Sequence, residues 1–395
     1  MLLIKNGRVL TMEGTTLPQG CVLIKGGKIK RVAPTIDETN LPRHHILDAQ
    51  GGWIMPGLIE SHCHIGITEA NKGTAGDDCN ESTGPVTPAL RALDAVNPLD
   101  RAFEEAARAG ITSCMVGPGS ANVVGGQFLF MKTMGDGSME SRVVLEPAAM
   151  KVAFGENPKN TYGINGNVPA TRMAIAGLLR EELTRARQYL QRKWTAAENR
   201  EAFETDHTLD CWEPVFRGRI PLKAHVHRAD DILTAVRIAR EFGLSMTLDH
   251  CSEGHIIPEE IQASGFPAIV GPSLSFHNKV EMQYTDFRTP GVLHRAGVQV
   301  AITTDHPVTL IQTLPICAGF AAREGLGVEE GLRAITINAA RICRVEHRVG
   351  SLAPGKDGDV AVFTGNPMEV FTKSLFTIID GRLVYAHDGR NLEKS

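Results

Sequence analysis

Between residues 57 and 349 short apolar runs alternate with helix-like stretches, and this alternation restricts the fold more than any other feature of the chain. The runs at 57–61, 111–117, 221–226, 244–250, 268–271 and 298–305 each read as a buried strand. The segments between them carry helical signals. Leu99 to Ala109 is spaced like a helix and stops at Gly110, residues 170–205 form a long polar stretch rich in Arg and Glu, Asp230 to Phe242 ends at Gly243, and Glu329 to Val345 follows the last run. Buried strands joined by helices over about 290 residues predict a parallel sheet with helices outside it, most economically an α/β fold of the eight-stranded (β/α)8 TIM-like barrel type. A doubly wound sheet is the competing architecture. It is disfavoured because no GxGxxG follows a strand and no Walker loop is present.

Both ends of the chain read as β structure instead. Three hairpins are expected: 2–5 with 8–12 about Asn6-Gly7, 21–25 with 28–32 about Gly26-Gly27, and 376–379 with 382–385 about Asp380-Gly381. Chain ends often lie together, so residues 1–56 plus 350–395 are expected to form one small β-sandwich domain beside a barrel of residues 57–349. The net charge of −4 is not gathered into blocks of like sign, so neither a nucleic-acid nor a membrane-surface partner has an electrostatic footprint. No stretch approaches the roughly 20 apolar residues of a membrane span. Met1-Leu2-Leu3-Ile4 lacks the basic-then-apolar pattern of a signal peptide. The eight cysteines are scattered without a CxxC, as expected for reduced thiols in a cytoplasmic protein. The expected partner is a small-molecule substrate, and apolar residues on the outer helices leave a homo-oligomer open.

The chemistry-bearing residues collect at the ends of the expected strands. His62 and His64 follow the run 57–61, His225 and His227 close 221–226, His250 closes 244–250, and Asp305 closes 298–305. Residues i and i+2 of a strand point the same way, so each HxH pair can serve one ion. In a barrel these strand ends share one face. Imidazoles with a carboxylate suit Zn²⁺ or another divalent transition metal, with a position left open for water. A single histidine among 14 is ordinarily structural. It is the set His62, His64, His225, His250 and Asp305 that points to a metal centre. His227 reads as a substrate contact or a neighbour of the ligands more readily than as a ligand. His255, His277 and His306 are near the set in sequence only.

The segment Gly52-Trp53-Ile54-Met55-Pro56-Gly57-Leu58-Ile59-Glu60-Ser61-His62-Cys63-His64 resembles the entry motif of the amidohydrolase superfamily. Asn338-Ala339-Ala340-Arg341 and Gly350-Ser351-Leu352-Ala353-Pro354-Gly355-Lys356-Asp357-Gly358-Asp359-Val360 resemble that family's return from barrel to small β-domain. Lys223-Ala224-His225-Val226-His227-Arg228 and His250-Cys251-Ser252-Glu253-Gly254-His255 are most similar to its imidazolonepropionase-related branch. The resemblance covers essentially the whole chain and implies a metal-dependent hydrolase acting on carbon–nitrogen bonds. It also implies one ion or two, because binuclear members bridge their ions with a carboxylate, often a carboxylated lysine. Lys151, where a fourth strand should be, looks like that lysine, and burial would depress its pKa and favour reaction with CO₂. Glu156 is a rival carboxylate, and an ordinary lysine and a turn-capping glutamate remain open for this pair.

Mechanism follows from such ligands. A divalent ion lowers the pKa of its water from about 15.7 toward 7. Asp305 is expected to take the proton and pass it to the leaving nitrogen, while His250 helps to polarise the scissile carbon. Substrate contacts are expected from His227, Arg228, Lys159 and Tyr162. The loop 65–96 and the glycine-rich run 117–127 are expected to reach over the site. Three functions stay open: hydrolysis of a cyclic amide, N-acyl or dipeptide-like substrate; deamination of an aminated heterocycle; and a catalytically silent scaffold.

Overall fold

The computed structural model describes residues 1–39, 41–276 and 279–387, so His277 lies outside the described residues. The sheet of the chain ends comprises β1 (Leu2–Leu10), β2 (Thr16–Lys25), β3 (Lys28–Ala33), β4 (Ile46–Asp48) and β5 (Trp53–Pro56). The barrel strands are β6 (Leu58–Cys63), β7 (Ile111–Val116), β8 (Val124–Lys132), β9 (Val143–Ala153), β10 (Leu222–Val226), β11 (Met246–His250), β12 (Ala268–Val270) and β13 (Val300–Ile302). The chain then returns to the first sheet with β14 (Val360–Phe363), β15 (Ser374–Ile379) and β16 (Arg382–Ala386).

The end strands make one sheet in the order β16-β15-β14-β5-β1-β2-β3, with β4 also on β1. It buries Leu2, Ile4, Val22, Ile24, Ile54, Val360 and Ile378 in one core. The expected sandwich is therefore, by hydrogen bonding, a single eight-stranded sheet. Its hairpin tips approach each other, since Gly358 N–H donates to the Gly27 carbonyl and Gly381 N–H to that of Gly358. Two of the three expected hairpins form. Gly26 and Gly27 both take positive φ, as do Asp380 and Gly381, which a type I′ turn requires. The hairpin expected at Asn6-Gly7 does not form. Only Asn6 is left-handed (φ 59°), and the chain passes through an irregularity in one continuous strand paired with β2.

The chain changes sheets at Gly57. A Cβ there would stand 2.1 Å from Thr112 Oγ1, so only glycine lets β6 enter the barrel against β7. The barrel sheet runs β6 to β13 in sequence order. It departs from an all-parallel barrel at β8, which is antiparallel to both β7 and β9. The run 117–127, expected to be a loop throughout, thus ends inside a fully buried strand. Its apolar continuation, Phe128-Leu129-Phe130-Met131, is what makes it a strand. Ile59, Met115, Phe128, Phe130, Ala148, Ala149, Ile269 and Ala301 pack together as a core cluster.

Among the described residues the sheet has no ladder between β13 and β6, and side-chain and backbone hydrogen bonds bridge the seam instead. The carboxylate of Glu60 accepts from Thr303 Oγ1 (2.5 Å), Thr304 Oγ1 (2.6 Å) and Thr304 N–H (2.9 Å), while His64 N–H donates to the His306 carbonyl (2.8 Å). Burial pushes the Glu60 carboxyl up to about 7 against those hydrogen bonds. Outside the sheet the expected helices are present at Arg101–Arg108, Arg172–Asn199 and Ala229–Phe242. The one expected at 329–345 is broken into Val328–Ala334 and Ile337–Ile342 by Thr336, which leaves helical geometry. No helix among the described residues is long and apolar enough to cross a membrane.

Candidate metal centre

Strand ends bring six chemistry-bearing residues to one face. His62, His64 and Asp305 form one group, and His225, His227 and His250 another; within each group the ligand atoms all lie within 4.8 Å of one another. His62 is the penultimate residue of β6, His225 sits within β10 and His250 ends β11. His250 and Asp305 hold left-handed backbone (φ 72° and 52°), a conformation uncommon outside glycine that Asp and His adopt more readily than most residues. Asp305 is held there by its N–H on Thr303 Oγ1 (3.0 Å), the same hydroxyl that meets Glu60.

The partners of the ring nitrogens show which way the lone pairs point. His62 Nδ1 lies 2.8 Å from Asp249 Oδ2, His64 Nδ1 is 2.7 Å from the Gly117 carbonyl, and His250 Nδ1 is 2.8 Å from the Gly271 carbonyl. Carbonyl oxygens can only accept, so Nδ1 of His64 and of His250 carries the proton and leaves Nε2 free to ligate, whereas His62 Nδ1 and Asp249 Oδ2 stand at ion-pair distance without hydrogen-bond geometry. Asp305 Oδ1 is buried without a hydrogen-bond partner among the described residues. It stands 3.2 Å from His64 Nε2 and 3.6 Å from His62 Nε2, ion-pair distances without hydrogen-bond geometry. Lone pairs face each other there, so a proton or a cation has to lie between them. Two donors about 2.0–2.1 Å from a tetrahedral ion are about 3.3 Å apart, close to these separations. The first group therefore fits a divalent cation.

Electrostatics agree. Burial holds His62, His225 and His250 well below the ordinary imidazole range and takes His227 to about 4, so these rings are neutral, as ligands must be. For His64 burial also works downward, but the Cys79 sulfur and the Asp305 carboxylate outweigh it and carry the ring up to about 10. Burial alone would raise Asp305, yet His250 and His64 hold it below the usual carboxylate range. A proton thus holds the His64–Asp305 gap in the absence of metal, and a cation entering there would displace it.

Lys151 is fully buried near the end of β9, with Nζ 3.4 Å from His62 Nε2. Burial pushes its amine down to about 8. Glu156 is placed elsewhere. It begins the helix Glu156–Gly163, and its carboxylate accepts from Glu281 N–H (3.3 Å) and Asn160 Nδ2 (3.4 Å), outside both groups. Beside the site lies a cavity of about 440 Å³ lined by His64, His225, His227 and Asp305, with Asn80, Asn157 and Lys279 among its polar walls. His227 is the one expected substrate contact on that lining. Tyr162 donates to the Gly84 carbonyl (2.8 Å) and so ties down the loop 65–96, whose residues Thr68, Asp77, Cys79 and Asn80 do line the cavity. Arg228 is taken up by Asp230 (2.9 and 3.0 Å), and neither it nor Lys159 lines the cavity. His255 bonds Thr289 Oγ1, and His306 Nδ1 accepts from Ile311 N–H.

Sequence reading missed Asp249, Lys223, Phe128 and Glu281. Asp249 orients His62 and is itself held by Lys223 Nζ (3.2 Å) and Thr247 Oγ1 (2.7 Å). Asp249 directly precedes His250 on a buried strand, and a charge in such a run was the available signal. Phe128 lies beneath the site. Its ring is 5.3 Å from that of His62, with Lys223 and Lys151 Nζ at 5.3 and 5.6 Å.

Comparison with known proteins agrees with this architecture. A 26% identical relative, the amidohydrolase tasK of Hapsidospora irregularis, aligns over 92% of this chain, which spans 39% of that relative's length. An imidazolonepropionase of Cupriavidus pinatubonensis is 25% identical over 83% of this chain and 78% of its own. The crystal structure of an amidohydrolase from Thermotoga maritima superposes with a TM-score of 0.94 at 38% identity, covering 98% of this chain and all of that one. The profile of the amidohydrolase family matches residues 53–384, and the chain belongs to that family.

Proposed function

We propose that this chain is a metal-dependent hydrolase of a small-molecule carbon–nitrogen bond, in a cyclic amide, N-acyl or dipeptide-like substrate. The observation that carries the reading is the orphaned Asp305 Oδ1 facing the Nε2 atoms of His62 and His64 at the wall of a polar cavity. His62, His64 and Asp305 would hold the cation, with Zn²⁺ the natural occupant of an imidazole–carboxylate set. When bound, such an ion acidifies water and polarises a carbonyl.

The chain's own groups supply the rest. Asp305, on the cavity wall and held by Thr303, is placed to take a proton from the attacking water and return it to the leaving nitrogen. His250 gives its Nδ1 proton to the Gly271 carbonyl, so its Nε2 presents a lone pair and would serve as a cation ligand rather than as a donor to the carbonyl. Asn80, Asn157 and Lys279 offer amide and ammonium donors to a polar or anionic substrate. Residues 57–349 would form the catalytic domain and 1–56 with 350–395 the small one. The eight unpaired cysteines suit a cytoplasmic location.

The test is metal content together with turnover. Chelator-stripped protein, reloaded with Zn²⁺, is screened against N-acyl, dipeptide and cyclic amide substrates. Activity that follows the metal and falls by at least about 10²-fold in Asp305→Asn supports the reading. Wild-type rates in that variant would refute the role of Asp305. Ammonia released from aminated heterocycles, with no amide cleaved, would make the protein a deaminase instead.

A further inference from the structure

A second cavity, of about 380 Å³, lies where the chain-end sheet meets the barrel, and it shares no lining residue with the cavity at the metal centre. Pockets of this size hold small ligands, and junctions between domains are common places for them. The walls come from both parts of the chain. Leu10, Met12 and Trp53 belong to the sheet side, and Leu332 comes from the helix Val328–Ala334. Val9 and Ile54 turn into the core of the sheet, so their neighbours Arg8, Leu10 and Trp53 face the other way, toward the barrel. Trp53 is on β5, which precedes β6, and His62 stands at the far end of β6, so the cavity lies toward the entry end of that strand.

The charge on this cavity is unmatched. Arg8 and Trp53 are opposite each other on β1 and β5, and the guanidinium carbon stands 5.0 Å from the indole centroid. Such a contact engages the face of the guanidinium and leaves the N–H groups at its edges. Among the described residues no ion pair and no side-chain hydrogen bond engages Arg8. Arg333, also on the lining, differs in having Glu330 3.2 Å from its Nε. Glu329 is the one carboxylate on the lining, and it is exposed. Beneath these groups the floor is apolar, with Leu10, Met12 and Leu332 only 8, 8 and 2% exposed. A free guanidinium beside an apolar floor is complementary to a molecule with a carboxylate at one end and an apolar body at the other.

We propose that this cavity binds a small amphipathic anion, an aryl-substituted carboxylate. The carboxylate meets the N–H fork of Arg8, and the ring lies against Trp53 over Leu10, Met12 and Leu332. A neutral analogue forfeits the charge-assisted hydrogen bonds, and a short carboxylate forfeits the apolar burial. The site is separate from the metal centre and does not depend on the reaction carried out there.

The test is titration of metal-loaded full-length protein with phenylacetate, followed by calorimetry and by tryptophan fluorescence. Phenylacetamide serves as the neutral analogue and acetate as the carboxylate without an apolar body. One equivalent of phenylacetate is expected to bind with a Kd of about 1 mM or tighter, and both analogues at least about 10-fold more weakly. Arg8→Gln should weaken phenylacetate by about 10-fold or more, and the fluorescence change should vanish in Trp53→Phe. Val328→Trp, which fills the cavity from an exposed position, should block the same binding and carries the test should Arg8→Gln not fold. His64→Ala should leave binding intact. Absence of saturable binding overturns the proposal, as does equal binding by Arg8→Gln and wild type. Binding that is lost in His64→Ala and kept in Arg8→Gln also overturns it, because the carboxylate then sits at the metal centre.

Discussion

Two lysines on neighbouring strands are removed from water in opposite ways. Lys132, at the end of β8, puts Nζ 2.9 Å from Asp357 and 2.6 Å from Asp359, with Asp380 at 3.6 Å. Those carboxylates come from the chain-end sheet, so the ion cluster joins that sheet to the barrel. Burial would lower the Lys132 amine, but the three carboxylates outweigh it and raise it. Lys151, on β9 beside the candidate metal centre, has a histidine nitrogen and the face of Phe128 for neighbours, and burial prevails. The same residue type is a paired strut at one end of the barrel and a poorly paired amine of lowered pKa at the other. Partners, rather than depth, decide which.

The largest expected effect separates the two directly. Lys132→Met strands buried carboxylates and should cost about 3–5 kcal/mol in urea unfolding. Lys151→Met should change stability by less than about 1.5 kcal/mol, because an apolar chain replaces a poorly paired ammonium, while kcat/KM falls about 10²-fold or more. Equal stability losses in the two variants would break the comparison.

Metal removal comes next. An ion present at 100 times its Kd stabilises the fold by about 2.7 kcal/mol, so stripping should lower Tm more in wild type than in a His62→Ala, His64→Ala double variant.

The pH dependence of the stripped protein sharpens the contrast further. Lys151 is lowered in the fold, so the unfolded chain binds its proton more tightly between pH about 8 and the ordinary lysine value of about 10.4. Stability should rise with pH across that window, and Lys151→Met should remove the rise. The raised Lys132 acts the other way, and its contribution is lost only as pH climbs past the ordinary lysine value. Its partner Asp357, held down to about 2, contributes fully above pH about 4 and loses that contribution as pH falls toward 2. The smallest effect is expected of Arg228→Ala. Its partner Asp230 is half exposed, so unfolding energy should shift by less than about 0.5 kcal/mol and kcat/KM by less than about twofold.

The contrast also shows what a linear reading can reach. The strand-end histidines and Asp305 were legible because strand periodicity and HxH spacing are local properties, and local geometry aims both imidazoles the same way. Glu281 was not, because it lies more than 50 residues from His225 and sits in a turn with no periodic signal. Arg228 follows the second HxH and looked available for substrate, yet Asp230, two residues on, holds it. Asp249 and Lys223 were missed for the same reason as Glu281, since their roles depend on which strands become neighbours.

By itself the sequence determined most of the strand and helix alternation and the gathering of the chain ends, and it proposed five of the six residues of the two imidazole groups as a set, with His227 weighed beside them. Each follows from apolar periodicity, turn chemistry or nearest-neighbour spacing, which act within a few residues. Only the tertiary structure decided that β8 runs antiparallel, that Glu60 closes the barrel seam, and that the lone pairs of His62 and His64 converge on an unpartnered oxygen of Asp305. Those outcomes depend on long-range pairing and on the exclusion of water, and no run of residues encodes either one locally.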